Sequence, residues 1–194
     1  MNKEKDIRAT YNAKTIRVYQ AYSHQIAEAA LENQTFTSPP FKMERMTWIK
    51  PSFLWMMYRA GYGHKDDGQR RILALDITHE GFRWALENSS GSHIPEGMSA
   101  QDWTAVKANK PVRIQWDPER DIHHNPLPYR SIQIGLTREA VQKYVAEWIV
   151  SIEDVTPLAH QIYDLIQSGE DEKAKALCPT EQPYNLIESP ENYG

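Results

Sequence analysis

The residues from Arg45 to Arg59 constrain the fold more than any other part of the chain. They read Arg-Met-Thr-Trp-Ile-Lys-Pro-Ser-Phe-Leu-Trp-Met-Met-Tyr-Arg, so four large aromatic residues and three methionines surround two arginines and Lys50. Such an apolar stretch is expected to be buried, but charged side chains are rarely buried without an anionic partner. Either carboxylates of the protein pair with these cations, or the cations line a cleft that binds an anionic ligand.

The second half of this block predicts a helix at the centre of the fold. Pro51 suits the first turn of a helix, and residues 52–59 are apolar on almost every side. A helix of that kind packs against several neighbours at once. Just before it, residues 46–49 are predicted as a short strand.

Three further segments share one design, in which an apolar β-prone run is followed by a hydroxyl residue and then by an amphipathic helix. The runs are 16–22, 72–77 and 132–136, and the hydroxyl residues are Ser23, Thr78 and Thr137. Residues 112–116 alternate as a half-buried strand that is predicted to stop at the turn Asp117-Pro118. Residues 149–155 are predicted as a last strand, followed by a helix that opens at Thr156-Pro157.

Strands and helices in this irregular order predict an α+β fold with a central sheet that is mixed or mostly antiparallel. We expect one domain over residues 13–177, with terminal tails at 1–12 and 178–194. Residues 88–111 are polar and contain Gly, Ser and Pro, so they are predicted as a long loop with one turn near Trp103.

Composition narrows the classes of function. The formal net charge is -4, so no overall basic field attracts nucleic acid, although a local basic groove is compatible with this value. The single cysteine, Cys178, excludes an internal disulfide and a cysteine-based zinc site. No long apolar run is present, and the N-terminus has no apolar segment. We therefore expect a cytoplasmic protein with no membrane partner.

The cations of the central block are the first candidate site. Lys50, Pro51 and Ser52 place an ammonium group, free backbone N–H groups and a hydroxyl at one helix start, where proteins commonly bind phosphate. The alternative is ordinary pairing with acidic residues such as Asp76 and Asp117. The predicted ligand-binding residues are Arg17, Tyr19, Arg45, Thr47, Lys50, Ser52, Arg130 and Ser131.

A second candidate is Lys65, in the sequence Lys-Asp-Asp-Gly-Gln-Arg. It resembles the Lys-x-Asp-Gly-x-Arg pattern of ligases and capping enzymes, which implies that Lys65 attacks the α-phosphate of a nucleotide. The alternative is a solvated, glycine-rich turn. His123 and His124 are adjacent and would point in opposite directions on a strand, so no metal site is predicted.

Polar amides within the strands are a third candidate. Gln133 lies between Ile132 and Ile134, and its side chain therefore points away from theirs. Gln115 lies in the same way between two apolar residues. Such amides either bind neighbouring loops or face a ligand cleft.

Four segments together resemble the family described as domain of unknown function 4291. They are 16–23, 45–59, 112–120 and 128–135, and the resemblance extends over residues 7 to about 157. This family carries no established activity. A weaker resemblance is to the ADP-ribosyltransferase-like fold, which implies Arg17 and Gln133 as catalytic residues and NAD as cofactor. Gln133 stands where that fold usually has a glutamate, which would weaken or redirect transferase chemistry.

The sequence supports more than one function. The first is a nucleotide-handling enzyme whose cationic cleft binds the phosphates of a nucleotide, NAD among them, or another anionic small molecule. The second is a non-catalytic module that uses the same aromatic and basic residues to bind nucleic acid or a protein partner. The third is nucleotidyl transfer through Lys65. Whether the protein is an enzyme is left open at this point.

Overall fold

The helices and strands are arranged in an α+β fold in the computed structural model, which describes residues 4–186. The strands are β1 Arg8–Ala9, β2 Thr15–Tyr22, β3 Thr47–Ile49, β4 Arg71–Thr78, β5 Ser89–Gly91, β6 Val112–Arg120, β7 Pro126–Leu136, β8 Ile149–Asp154 and β9 Gln182–Pro183. The helices are α1 His24–Asn33, α2 Phe53–Ala60, α3 His79–Glu87, α4 Ala100–Asn109, α5 Glu139–Lys143, α6 Thr156–Gln167 and α7 Asp171–Leu177. The predicted fold class is confirmed.

The larger strands form two sheets rather than one. One sheet has the order β2-β4-β8 and is antiparallel throughout. The other has the order β3-β7-β6-β5, in which only the short β5 runs parallel to its neighbour. The edge strands β2 and β3 approach each other at one point, where the backbone N–H of Tyr19 donates to the carbonyl of Lys50 at 2.8 Å. Lys50 therefore lies at the seam between the two sheets.

Hydroxyl residues cap three helices, but Thr137 does not follow the predicted design, because its hydroxyl donates to the carbonyl of Pro111 at 2.7 Å and α5 has no side-chain cap. Ser23, Ser52 and Thr78 each accept a hydrogen bond from a backbone N–H in the first turn of α1, α2 and α3. Such a cap contributes about 1 kcal/mol to the stability of a helix. Gly61 ends α2 in the left-handed conformation, with its N–H on the carbonyl of Met57.

Two apolar clusters hold these layers together. The larger cluster takes residues from both sheets and from α1 and α3, for example Val18, Leu75 and Ile134. The smaller cluster surrounds α2, whose Phe53 and Met57 are fully buried beside residues of β4 and α6. Full burial of such a side chain contributes about 1.5–3 kcal/mol. The helix predicted at 52–59 is therefore central to the fold, as expected.

Several boundaries differ from the sequence-based prediction. Strand β6 continues through Asp117 and Pro118 as far as Arg120, with an irregular register near Pro118. The predicted loop at 88–111 contains β5 and α4. Pro51 precedes the capping residue Ser52 and so lies outside the helix. A π-helical turn from Tyr144 to Trp148 extends α5.

The predicted tails contain packed structure in their described parts. β1 and β9 pair with each other, so residues near the two ends lie side by side. Ile7 and Tyr184 are both buried, and the N–H of Tyr184 donates to the carbonyl of Ile7 at 2.7 Å. Among the described residues, none of the helices is both apolar enough and long enough to cross a bilayer.

Candidate functional site

Lys50 occupies a buried position that the backbone fixes from two sides. It directly follows β3, its carbonyl accepts the hydrogen bond from Tyr19, and Ser52 then begins α2. Only 6 % of the residue is exposed. The position of its side chain is thus set by two sheets and a helix, and not by a mobile loop.

The amine of Lys50 has no acidic partner. Nζ donates to the backbone carbonyl of Trp48 at 3.2 Å and lies 5.7 Å from the centroid of the Trp55 ring. Within residues 4–186, no carboxylate forms an ion pair with it. Burial, together with the positive charge of Arg59, lowers its pKa from 10.5 to about 7.

A cleft of about 840 Å³ opens over this amine, and we call it the Lys50 cleft. Its walls come from β2, the loop before β3, α2, the loop before β4, and the paired strands β6 and β7. Its aromatic and polar lining includes Gln20, Tyr22, Thr47, Trp48, Trp55, Gln69, Gln115 and Gln133. A volume of this size accommodates a nucleotide-sized ligand.

Positive charge dominates the lining. The cations are Lys42, Arg45, Lys50 and Arg59, whereas Asp66 is the one acidic residue among the lining residues that the structure describes. Arg45 and Arg59 are exposed, and the side chain of neither forms a hydrogen bond or ion pair with a described residue. Their guanidinium groups are therefore available to an anion.

The amides on the β6–β7 wall are held in place by one carboxylate. Gln115 and Gln133 are cross-strand partners, and the side-chain N–H groups of both donate to Asp117. These bonds leave the two amide oxygens free to accept a hydrogen bond from a ligand. Gln115 and Asp117 were not among the predicted site residues, although Gln115 showed the same alternation as Gln133.

Gln20 supports the opposite wall. Its amide nitrogen donates to the hydroxyl of Tyr22 at 3.0 Å and to the carbonyl of Trp48 at 3.1 Å. Its amide oxygen accepts a hydrogen bond from the hydroxyl of Tyr144 at 2.6 Å. The π-helical turn thereby orders a buried network next to Lys50. A lone glutamine in an apolar strand was the signal that sequence reasoning did not use.

Arg17 is paired inside the protein and does not line the Lys50 cleft. Its Nε and Nη2 donate to the carboxylate of Asp76 at 2.9 and 3.0 Å, and Nη1 lies 3.1 Å from Glu153. The hydrogen bond to Asp76 raises the pKa of the guanidinium above its ordinary value. These carboxylates neutralise the charge of Arg17, so its guanidinium group is already occupied by partners within the protein.

Tyr19 contributes to the site through its backbone. Its ring packs edge-to-face on Phe53 with the centroids 5.5 Å apart, and its hydroxyl is buried without a hydrogen-bond partner. Burial raises the pKa of this hydroxyl. Arg130 is also remote from the cleft, because its Nη1 donates to the carbonyl of Trp116 at 3.2 Å and its Nε lies 3.5 Å from Glu4.

Ser52 lines a second, smaller cavity of about 350 Å³, which we call the carboxylate pocket after Glu119 and Glu181. Glu119 accepts hydrogen bonds from the hydroxyl of Ser52 and from the N–H of Arg120, both at 2.9 Å, and it also bonds with Ser131. Phe53 donates its backbone N–H to Glu181 at 3.3 Å. The hydroxyls of Ser52 and Ser131 therefore both form hydrogen bonds with Glu119 inside the protein.

The carboxylates of this pocket carry shifted pKa values. Burial raises the pKa of Glu181 from 4.5 to about 8, and the charge of Glu119 contributes in the same direction. Burial also raises the pKa of Glu119, although its three hydrogen bonds oppose that shift. The start of α2 thus separates a cationic cleft from a pocket that holds one buried acid, Glu119, and one half-buried acid, Glu181.

Lys65 lies outside the Lys50 cleft and is exposed. Its neighbours Asp66, Gly68 and Gln69 do line the cleft, so the predicted loop borders the site without supplying its lysine. The adjacent histidines have separate surroundings, since His123 contacts Asp171 at 2.7 Å. Within the described part of the chain, no group of three metal-ligating residues is close enough to hold an ion.

The fold and this site define an α+β protein with a cationic cleft at a sheet seam. Residues 6–184 match the family described as Domain of unknown function (DUF4291), and the chain belongs to that family. The match covers every residue of the cleft and the carboxylate pocket. No curated protein matches the chain.

Proposed function

We propose that the Lys50 cleft binds a phosphate-bearing small molecule, and that a nucleotide is the class of ligand that fits it best. The observation that carries the proposal is a buried lysine without an acidic partner. Burying an unpaired charge costs on the order of several kcal/mol unless an opposite charge compensates for it. A bound anion would supply that charge.

The surrounding residues favour phosphate over a lone carboxylate. Arg45 and Arg59 add two free guanidinium groups to the amine of Lys50, and guanidinium groups bind phosphate oxygens in pairs. The hydroxyl of Thr47 is a further donor on the same lining. Several cations around one cavity suit a ligand with more than one negative charge.

The aromatic and amide residues favour a nucleotide over inorganic phosphate. Trp48 and Trp55 present indole surface to the cleft, and bases stack on such surfaces. Gln115 and Gln133 offer amide oxygens that can accept from the amino group of a base. NAD, which has two phosphates and two bases, belongs to this class.

A small molecule is favoured over nucleic acid because the cations converge. They surround a concave cavity of about 840 Å³, whereas a polynucleotide requires an extended basic track along the surface. The net charge of -4 also gives no long-range attraction to a polyanion. A module that binds nucleic acid therefore remains the second candidate.

Thermal unfolding with and without ligand tests the proposal, since a ligand of the native state raises the melting temperature. We expect ATP, GTP and NAD at millimolar concentration to raise it by several degrees, roughly, in the wild type. Lys50→Met should remove most of this response. The matched control is Lys65→Met, which deletes an exposed lysine next to the cleft and should respond like the wild type.

The pH dependence adds a second criterion. Lys50 is protonated below its pKa of about 7 and loses its charge above it, so the response should weaken between about pH 6 and pH 9. NAD is the best probe, because its diphosphate keeps a constant charge over this range. An equal response in Lys50→Met and wild type, or one that does not depend on pH, would contradict the proposal.

A further inference from the structure

Lys50 differs in chemistry from the other cations of the cleft. Arg45 and Arg59 hold permanent charge, and a guanidinium group is a poor nucleophile. The amine of Lys50 becomes a nucleophile when it loses its proton, and burial near Arg59 brings its pKa down to about 7. The arginines can therefore bind phosphate while the lysine performs a different task.

The geometry leaves the nitrogen lone pair available. In the described part of the chain, the amine has one polar contact, in which it donates to the carbonyl of Trp48. No carboxylate of residues 4–186 holds the proton on the nitrogen through an ion pair. Nζ lies 5.7 Å from the centroid of the Trp55 ring, and both residues line the cleft.

The loop 65–70 contributes a second argument. Its pattern predicted a lysyl-nucleotide intermediate on Lys65, but Lys65 is exposed and lies outside the cleft. Asp66, Gly68 and Gln69 of the same loop form part of the cleft wall. The loop and a buried amine thus meet at one cavity, and the amine belongs to Lys50.

We propose that Lys50 is the nucleophile of a nucleotidyl transfer, with a nucleoside triphosphate as the substrate. The neutral amine attacks the α-phosphorus, so a P–N bond forms while the P–O bond to the β-phosphate breaks. Pyrophosphate leaves with that bonding pair, and the extra proton on nitrogen passes to water. The product is a lysyl-nucleotide that can transfer its nucleotide to a second acceptor. This inference rests on the proposed nucleotide binding.

The charged residues have distinct roles in this step. Arg45 and Arg59 stabilise the charge that develops on the leaving pyrophosphate, since neither guanidinium group is paired with a described residue. A divalent cation enters as a co-reactant on the phosphates of the substrate. Asp66 is the carboxylate of the described lining that can contact such a cation.

Intact-mass measurement tests the transfer. The wild type is incubated with each of the four ribonucleoside triphosphates and MgCl₂, and the mass of the protein is compared before and after. We expect one added nucleoside monophosphate and one equivalent of released pyrophosphate. Peptide mapping should place the adduct on Lys50, and added pyrophosphate should reverse it.

Two substitutions separate chemistry from binding. Lys50→Arg keeps the positive charge but lacks the nucleophile, so it should lose the adduct entirely. Lys65→Arg makes the same change outside the cleft and should form the adduct as well as the wild type does. In the wild type, the rate of adduct formation at saturating nucleotide should rise with pH, opposite to the trend in binding. The midpoint should lie above the value of about 7 for the free protein, because the bound phosphates raise the pKa of Lys50.

The outcomes distinguish this inference from the proposed function. A nucleotide that raises the melting temperature without forming an adduct overturns the nucleophilic role and leaves nucleotide binding intact. Absence of both responses overturns both. An adduct on Lys65 or on another exposed lysine also overturns the assignment to Lys50, and mapping on the wild type gives this answer even if a variant fails to fold.

Discussion

Lys50 and Ser52 are separated by one residue, yet they belong to regions that treat buried charge in opposite ways. In the Lys50 cleft, a buried amine and two free arginines face open space. In the carboxylate pocket, Glu119 receives hydrogen bonds from Ser52, Ser131 and a backbone N–H. No ion pair between described residues joins Lys50 to either acid of the pocket.

The two regions differ in whether a buried charged group has its hydrogen-bond partners within the protein. A buried carboxylate with three donors has replaced most of the hydrogen bonds that water gave it, so the fold itself accounts for its position. The amine of Lys50 can donate three hydrogen bonds, but among the described residues it donates only one, to the carbonyl of Trp48. This contrast supports our proposal that the cleft is the functional site and that the pocket anchors the C-terminal segment.

Of the substitutions that test this comparison, Lys50→Met should cause the largest change in the free energy of unfolding. The folded protein lowers the pKa of Lys50 from 10.5 to about 7, so protonation costs stability below pH 7 and this cost disappears as the pH approaches 10.5. The stability advantage of Lys50→Met over wild type should thus shrink by about 4 kcal/mol between about pH 6 and pH 10. Urea unfolding at several pH values measures it, and an advantage independent of pH would show that the amine is not buried as described.

Glu181→Gln should show the opposite dependence on pH with a smaller size. The folded protein raises the pKa of Glu181 from 4.5 to about 8, so the acid is neutral and harmless below pH 4.5 and its ionisation destabilises the fold as the pH rises to 8. Glu181→Gln should gain about 2–3 kcal/mol over wild type between about pH 4.5 and pH 9. Urea midpoints at these pH values measure the gain, and Glu172→Gln, which makes the same change at an exposed acid, is the control.

Ser52→Ala should give the smallest effect, and Ser23→Ala is its matched control. Both serines cap a helix, but the hydroxyl of Ser52 also donates to buried Glu119. Ser23→Ala should cost about 1 kcal/mol, and Ser52→Ala about 2 kcal/mol, because it also removes a donor from a buried carboxylate. Denaturation midpoints compare them; equal losses would mean that the carboxylate pocket does not depend on Ser52.

Local chemistry was sufficient to predict much of the fold. Ser23 and Thr78 marked real boundaries between an apolar run and a helix, because capping depends on neighbours in the chain. Thr137 did not, since its hydroxyl donates to the carbonyl of distant Pro111. The signal failed at Asp117-Pro118, where a turn was expected and β6 continues. A register irregularity near Pro118 accommodates a residue that lacks an N–H, and pairing with distant β7 overrides the local preference.

The site was less accessible to sequence reasoning, because it depends on contacts between distant segments. The predicted residues Arg45, Thr47, Lys50 and Gln133 line one cleft, although Gln133 is remote from the others in sequence. Arg17 was expected there as well, but it lies opposite Asp76 in the β2–β4 register. An arginine in an apolar strand has the same local pattern whether or not a carboxylate waits on the next strand.

The hydrogen bond between Tyr19 and Lys50 couples the proposed ligand-binding residue to the contact between the two sheets. The residue that offers its amine to the cleft offers its carbonyl to the edge of the other sheet at 2.8 Å. If the sheets slide apart, the amine must move with its own strand, and the cavity loses its shape. A ligand bound in the cleft would therefore also stabilise the alignment of the two sheets.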